Sequence, residues 1–116
     1  MKKIIIELGI KGLIIFPILF YSCHSSDLET AANRHKTDTV TIQQMQFIPA
    51  SITIEKGDTI VWINKDMVEH TVKEEKNNSF YSDTIHPGRS WKMTATENAD
   101  YSCSIHPTMK GKIVIK

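Results

Sequence analysis

The stretch that decides the interpretation of this chain is YSCSIHPTMKGK, residues 101–112. Its Cys103, His106 and Met109 are each separated by two residues, and a further histidine, His70, lies upstream. Singly, such residues are more often core or turn residues than ligands. One cysteine, one histidine and one methionine within a seven-residue loop, joined by His70, favour a shared metal site.

This ligand set favours copper over other metals. Soft sulfur suits Cu(I) and imidazole suits Cu(II), so a thiolate and two imidazoles in a plane, with a weak axial thioether, hold both oxidation states. Zinc is the main competitor because cysteine and histidine bind it well, but methionine is a poor zinc ligand. The sequence therefore predicts one copper and one-electron chemistry.

Short runs of alternating apolar residues occupy most of residues 39–116, with turn residues between them. Such runs at this spacing are typical of an antiparallel β-sandwich in which one face of each strand is buried. The predicted fold class is all-β, with His70 in one loop and the other three ligands in the loop between the last two strands. The runs are Val40 and Ile42, Ile52 and Ile54, Ile60 and Trp62, Thr71 to Lys73, Trp91 and Met93, Tyr101 and Cys103, and Ile113 and Ile115.

Residues 1–22 resemble an export signal peptide of the lipoprotein type. Lysines precede an apolar run that is about half of the roughly 20 residues a spanning helix needs. Ser22-Cys23 fits the lipobox, in which the cysteine is acylated and becomes the mature N-terminus, although Phe20 and Tyr21 are unusual there. We expect lipidation at Cys23, a membrane anchor and a periplasmic or cell-envelope location. A disulfide between Cys23 and Cys103 is the alternative, but it would consume the thiolate ligand.

The segment 23–38 is polar and is predicted to be a tether between the lipid anchor and a single domain at residues 39–116. The chain has 14 Lys and Arg and 13 Asp and Glu residues, and the leader removes three of the former and one of the latter, so the mature protein is near neutral. No basic stripe or cluster is present, so we expect no nucleic acid partner. We expect a monomer.

Residues 39–116 resemble the cupredoxins, most of all their amicyanin-like members and then plastocyanin and pseudoazurin. The resemblance implies a Greek-key β-sandwich of about seven to eight strands. It also implies a type 1 copper site with ligands His70, Cys103, His106 and Met109. The matching stretches are GDTIVWIN at 57–64, HTV at 70–72, YSC at 101–103 and MKGK at 109–112.

The resemblance implies supporting roles for four further residues. Asn64 is expected to tie the two ligand loops together through the hydroxyl of Ser104, and the backbone amide of Thr71 to donate to the sulfur of Cys103. Such contacts around the ligands tune a metal site. Glu69 replaces the proline usual before the first histidine, and its charge is expected to lower the reduction potential if it is shielded from water.

The expected activity is that of a one-electron carrier between a redox donor and acceptor that the sequence does not name. A module for copper storage or delivery is the alternative, because it would use the same ligands. We do not expect an enzyme, since multicopper enzymes need many more histidines than the five present here, often as His-x-His. By resemblance, the edge of His106 is the electron exit, surrounded by Val68, Ile105, Pro107 and Met67.

Overall fold

The computed structural model describes residues 34–116, together with Gly12. The predicted signal peptide, most of the tether and the lipidation site Cys23 lie outside the described residues and stay predictions. Within the part of the chain that is described, no helix has the length and apolar character needed to cross a membrane.

Eight strands form two four-stranded sheets, which confirms the predicted all-β sandwich. The first sheet has the order β2-β1-β4-β6 and the second has the order β3-β8-β7-β5. The strands are β1 (Thr37–Gln43), β2 (Gln46–Ile48), β3 (Ser51–Ile54), β4 (Thr59–Asn64), β5 (Lys73–Glu74), β6 (Ser90–Thr94), β7 (Ala99–Ser102) and β8 (Lys110–Ile115). The first strand begins two residues before the predicted start of the domain.

Two of the six strand pairings are parallel, so the expectation of an antiparallel sandwich is wrong for those two pairs and is met by the other four. Strand β1 pairs in parallel with β4, and β3 pairs in parallel with β8. The chain leaves the first sheet after β2, adds β3 to the second sheet and returns to the first sheet as β4. Alternation of apolar residues shows which face of a strand is buried, but it carries no information about the direction of the neighbouring strand.

The core lies between the two sheets and is built from alternate residues of each strand. In β4, Ile60, Trp62 and Asn64 are fully buried, whereas the residues between them are partly exposed. The rings of Trp62 and Tyr101 meet edge to face at 5.6 Å across the core. Burial raises the pKa of Tyr101 to about 12, so its phenol stays protonated at neutral pH.

Gly111 provides the space for the ring of Tyr101. The two residues are opposite each other in the β7–β8 pair, and a Cβ atom on Gly111 would overlap the Tyr101 ring. Because the ring is fully buried, it has no room to move aside. The glycine therefore lets the aromatic side chain lie flat across the strand that leaves the ligand loop.

The short hairpin β1–β2 is a feature that the sequence pattern does not predict. Gln44 and Met45 connect its strands, and both have positive φ angles, 54° and 59°. Hairpin turns of this kind usually contain Gly, Asn or Asp, and neither residue belongs to that group. A carboxylate from another loop, that of Asp66, accepts hydrogen bonds from both turn amides.

Candidate metal centre

The loop that joins β7 to β8 carries three of the four predicted ligands, Cys103, His106 and Met109. Two backbone hydrogen bonds close it, from the Cys103 amide to the Met109 carbonyl at 3.2 Å and from the Met109 amide to the His106 carbonyl at 2.9 Å. The paired strands on either side fix its ends. Cys103 and Met109 are buried, and His106 is partly exposed.

His70 reaches the same place from the loop after β4. Its backbone forms a bridge with Ile85, in which the Ile85 amide donates to His70 at 2.8 Å and the His70 amide donates back at 3.2 Å. The buried side chain of Asn64 holds the preceding loop by donating to the carbonyls of Val68 and Ile85, each at 2.8 Å. Its oxygen accepts the amide of Asp66 at 2.9 Å. The His70 side chain is completely buried.

The sulfur of Cys103 lies 3.9 Å from Nδ1 of His70 and 3.7 Å from Nδ1 of His106. Ligand atoms of all three residues lie within 4.8 Å of one another. Metal bonds of about 2.3 Å to sulfur and about 2.0 Å to nitrogen, at a trigonal angle of 120°, give a sulfur–nitrogen separation of about 3.7 Å. The two sulfur–nitrogen distances therefore match those of a trigonal metal site.

The remaining chemistry favours copper. Cys103 is a free, fully buried cysteine, and its sulfur accepts the backbone amide of Thr71 at 3.3 Å, as predicted. Met109 is 2% exposed and belongs to the same closed loop. A buried thiolate with two imidazoles and a neighbouring thioether suits copper better than zinc. The described residues thus fit the predicted cofactor.

Thr71, not Asn64, links the two ligand loops, so the predicted contact between Asn64 and Ser104 is wrong. The Thr71 hydroxyl lies 2.8 Å from the hydroxyl of Ser104, accepts the Ser104 amide at 2.8 Å, and lies 3.7 Å from the Cys103 sulfur. The side chain of Asn64 instead contacts Asp66 and Val68 in its own loop and the carbonyl of Ile85. Ser104 therefore does support the site, but through a different partner.

Glu69 lies beside the site in sequence, and its side chain pairs with a residue that is not a predicted ligand. Its carboxylate is half exposed and lies 2.7 Å from Nδ1 of His86, which is also exposed. Water and the neighbouring imidazole screen such a charge. The charge of Glu69 is expected to lower the reduction potential only if it is shielded from water. This condition is not met.

Asp66 contacts a predicted ligand and is absent from the residues that the sequence singles out. Its carboxylate lies 2.8 Å from Nε2 of His70, on the side of the ring opposite Nδ1. Burial alone would raise the pKa of Asp66, but hydrogen bonds from the amides of Met45 and Gln44 and from His70 hold it below its usual value. The sequence feature that could have identified Asp66 is its position, a carboxylate four residues before a histidine ligand in a short loop.

The sandwich and its single cysteine–histidine centre, within the residues described, define a small copper protein of the cupredoxin class. The sequence profile described as copper binding proteins of the plastocyanin/azurin family matches residues 34–116. The chain belongs to this family.

Individual relatives agree with this assignment. The chain is 28% identical over 83 residues to amicyanin from Paracoccus versutus, covering 66% of this chain and 63% of that protein. It is 30% identical over 83 residues to amicyanin-alpha from Methylorubrum extorquens, covering 66% of this chain and 70% of that protein. A solved structure of an oxidised amicyanin variant superposes with a TM-score of 0.65 at 27% identity, over 69% of this chain and 82% of that chain.

A copper-containing nitrite reductase from Thermus scotoductus contains a similar fold. It superposes with a TM-score of 0.64 at 26% identity and covers 69% of this chain, but the match is only 22% of that enzyme. The similarity thus concerns one sandwich within a much larger protein. It supports the fold and the copper site and leaves the rest of the enzyme without a counterpart in residues 34–116.

Proposed function

We propose that this protein is a one-electron carrier whose copper ligands are His70, Cys103, His106 and Met109. The observation that carries the proposal is the spacing of the Cys103 sulfur and the two histidine nitrogens, which already fits a trigonal copper site. Copper, when bound, supplies a change of one electron between Cu(I) and Cu(II). The protein supplies a ligand frame that serves both states.

Rigidity of that frame is what an electron carrier requires. Cys103 is held by the backbone of its loop and by the Thr71 amide, and His70 is held by its bridge to Ile85. Side chains fixed in this way have little freedom to move when the charge of the bound ion changes. Little reorganisation means a low barrier to electron exchange.

The surface near the ligand loops supports contact with redox partners. Met67 is 90% exposed, and Val68 and Ile105 are each about half exposed, on the loops that lead to His70 and His106. His106 is the more exposed of the two histidines. We infer that a donor and an acceptor approach this apolar surface and exchange electrons through the His106 ring.

A carrier accounts for the described residues better than a multicopper enzyme does. Within residues 34–116, the cluster suited to a metal is the one formed by His70, Cys103 and His106. A nitrite reductase or a copper oxidase requires additional copper centres, each with its own histidines. A single centre in this part of the chain supports electron transfer without catalysis.

We further infer that the carrier is exported and held at a membrane by lipid on Cys23, with residues 23–38 as the tether. This rests on the lysine-flanked apolar leader and on Ser22-Cys23. Mass spectrometry of the mature N-terminus tests it, with an acylated Cys23 expected. Cys23→Ala should move the protein out of the detergent-rich phase, and a mature N-terminus at another residue would contradict the anchor.

Electron exchange and copper release distinguish a carrier from a delivery module. The Cu(I) protein is mixed with a small inorganic oxidant in a stopped-flow instrument, and a portion of the same sample is mixed with a Cu(I) chelator. A carrier exchanges electrons far faster than it releases copper. Fast release with slow exchange would contradict the proposal and favour storage or delivery.

A further inference from the structure

A line of three aromatic side chains, Trp91, Trp62 and Tyr101, runs from an edge strand toward the ligand Cys103. Trp91 lies opposite Trp62 in the β4–β6 pair, and their ring centroids are 5.2 Å apart. Trp62 meets Tyr101 edge to face at 5.6 Å across the core. Tyr101 precedes Cys103 by two residues, and both side chains are fully buried. This aromatic line thus connects β6 with the strand that leads into the ligand loop.

The outer end of the aromatic line reaches water, and its inner part does not. Trp91 is partly exposed, and its strand β6 lies at the edge of the first sheet. The side chains of Trp62 and Tyr101 have no exposed surface. A reagent in solution can therefore contact Trp91 directly, but it reaches Trp62 only through another residue.

Two polar atoms of the aromatic line are buried without partners. Neither the indole nitrogen of Trp62 nor the hydroxyl of Tyr101 makes a hydrogen bond of normal geometry with any residue in the described part of the chain. Burial of an unpaired polar group destabilises a fold, and phenylalanine would avoid that penalty. Packing alone therefore does not account for an indole and a phenol at these positions. What distinguishes both rings from phenylalanine is that they can give up one electron to a strong oxidant.

Burial gives the two kinds of ring different roles. A phenol that loses an electron also gives up its proton, but no described residue is placed to accept the proton of Tyr101. An indole can lose an electron and keep its N–H proton. We therefore expect the electron vacancy to rest on Trp91 and Trp62, with Tyr101 as a packed bridge between Trp62 and Cys103.

We propose that the aromatic line is a second electron path, which returns an electron from reduced copper to an oxidised Trp91 at the surface. The inference rests on the proposed one-electron copper site. A strong one-electron oxidant, of the class of oxygen-derived radicals, takes an electron from Trp91 and is itself reduced. Trp62 then supplies an electron to Trp91, and Trp62 is refilled through Tyr101 and Cys103 as Cu(I) becomes Cu(II). No bond forms or breaks, both indole N–H protons stay in place, and the sum is one oxidant reduced and one Cu(I) oxidised.

The first measurement uses the metal-free full chain and a photogenerated ruthenium(III) polypyridyl complex, which is a one-electron oxidant. Mass spectrometry of peptides reports the oxidation products at each tryptophan. We expect products at Trp91 and also at the fully buried Trp62, because the vacancy moves inward. Trp91→Phe should remove the products at Trp62. Tyr81→Phe is the matched control, because Tyr81 is a half-exposed aromatic residue outside the line, and it should leave both yields unchanged.

The second measurement repeats the oxidation with Cu(I) bound. We expect the products at both tryptophans to be lost while Cu(I) remains, because an indole radical cation is a much stronger oxidant than thiolate-bound Cu(II). Trp62→Phe should restore the products at Trp91 although Cu(I) is bound. Direct oxidation of the copper through His106 consumes oxidant equally in both proteins, so their difference isolates the aromatic line. Tyr101→Phe keeps the bridging ring and should keep the protection.

The wild-type measurements are decisive even if Trp62→Phe does not fold. The proposal is overturned if the metal-free wild type is oxidised at Trp91 and not at Trp62, or if Cu(I) leaves the products at Trp91 as abundant as in the metal-free protein. A folded Trp62→Phe that Cu(I) protects as well as the wild type also overturns it. A wild type that binds no copper would refute the proposed function instead. The metal-free measurement does not depend on copper, so the two failures are distinguishable.

Discussion

Removal of the Thr71 hydroxyl tests how the two ligand loops are joined. Thr71→Val keeps the branched shape of the side chain and the backbone amide that donates to the Cys103 sulfur. It removes the oxygen that accepts the Ser104 amide at 2.8 Å and that lies 2.8 Å from the Ser104 hydroxyl. The loops lose a polar connection, and the sulfur keeps the amide contact at 3.3 Å but loses the longer contact to the hydroxyl at 3.7 Å.

The magnitude follows from the two hydrogen bonds that are lost. Each is worth about 1 kcal/mol, and an amide left without a partner adds to the cost. Ser104 is exposed, so water replaces part of what is lost. We expect Thr71→Val to lower the free energy of unfolding by about 1–2 kcal/mol. In a domain of this size, each kcal/mol lost lowers Tm by roughly 4–8 °C.

Urea and thermal unfolding of the metal-free protein measure this loss, and Thr71→Ser is the matched control. Serine keeps the hydroxyl and loses a methyl group, so most of the link between the loops should survive. The copper-loaded Thr71→Val protein should shift its visible band only slightly, because the amide contact to Cys103, the shorter of the two contacts from Thr71 to the sulfur, is unchanged. The reasoning is refuted if Thr71→Val is as stable as the wild type, or if Thr71→Ser is as destabilised as Thr71→Val.

Three further substitutions test other parts of the structure. Gly111→Ala would force a methyl group into the ring of Tyr101, and we expect a loss of at least about 1–3 kcal/mol in urea unfolding. The amides of Lys36 and Glu55 hold the pKa of Asp58 below its ordinary 3.8. Its contribution to stability is therefore complete above that value and is lost as the pH falls below it, so Asp58→Asn should flatten the acid side of a plot of stability against pH. Glu69→Gln should shift the reduction potential by less than about 40 mV, because exposed charges interact by at most about 1 kcal/mol.

Each of these substitutions has a clear opposite outcome. Wild-type stability in Gly111→Ala would mean that the Tyr101 ring is free to move, and Lys110→Ala next to it controls for changes in the strand. An unchanged acid slope in Asp58→Asn, compared with Asp100→Asn, would assign the acid sensitivity to other carboxylates. A large shift in Glu69→Gln that persists in high salt would mean that its charge is shielded after all.

Local sequence pattern predicts the sandwich because a strand with one buried face alternates apolar and polar residues. It also predicts the ligands, since a cysteine, a histidine and a methionine rarely fall so close together unless they share a metal. The ligand atoms of His70, Cys103 and His106 do lie together. The pattern does not predict that β4 and β8 each have a parallel neighbour, because strand direction depends on where the chain crosses between the sheets.

Contacts around the ligands are harder to predict because they are chosen by three-dimensional packing. The expected partner of Asn64 is Ser104, but the Asn64 side chain bonds to other backbone groups and the Thr71 hydroxyl makes the contact with Ser104 instead. The contacts of Asp66 are not predicted from the sequence, because one partner, Met45, lies 21 residues earlier in the chain. Met45 belongs to a turn that contains no glycine or asparagine, so the turn itself is not evident from the sequence. No residue pattern in either segment reveals that they meet.

The most direct test of the central claim is a copper titration of the full chain, followed by visible and EPR spectroscopy. We predict one copper per chain and an intense visible band in the oxidised protein, because a thiolate bound to Cu(II) gives strong charge transfer. Cys103→Ser should abolish the band. A wild-type protein that stays colourless with Cu(II), or a Cys103→Ser variant that keeps the band, would contradict the assignment of a type 1 copper site.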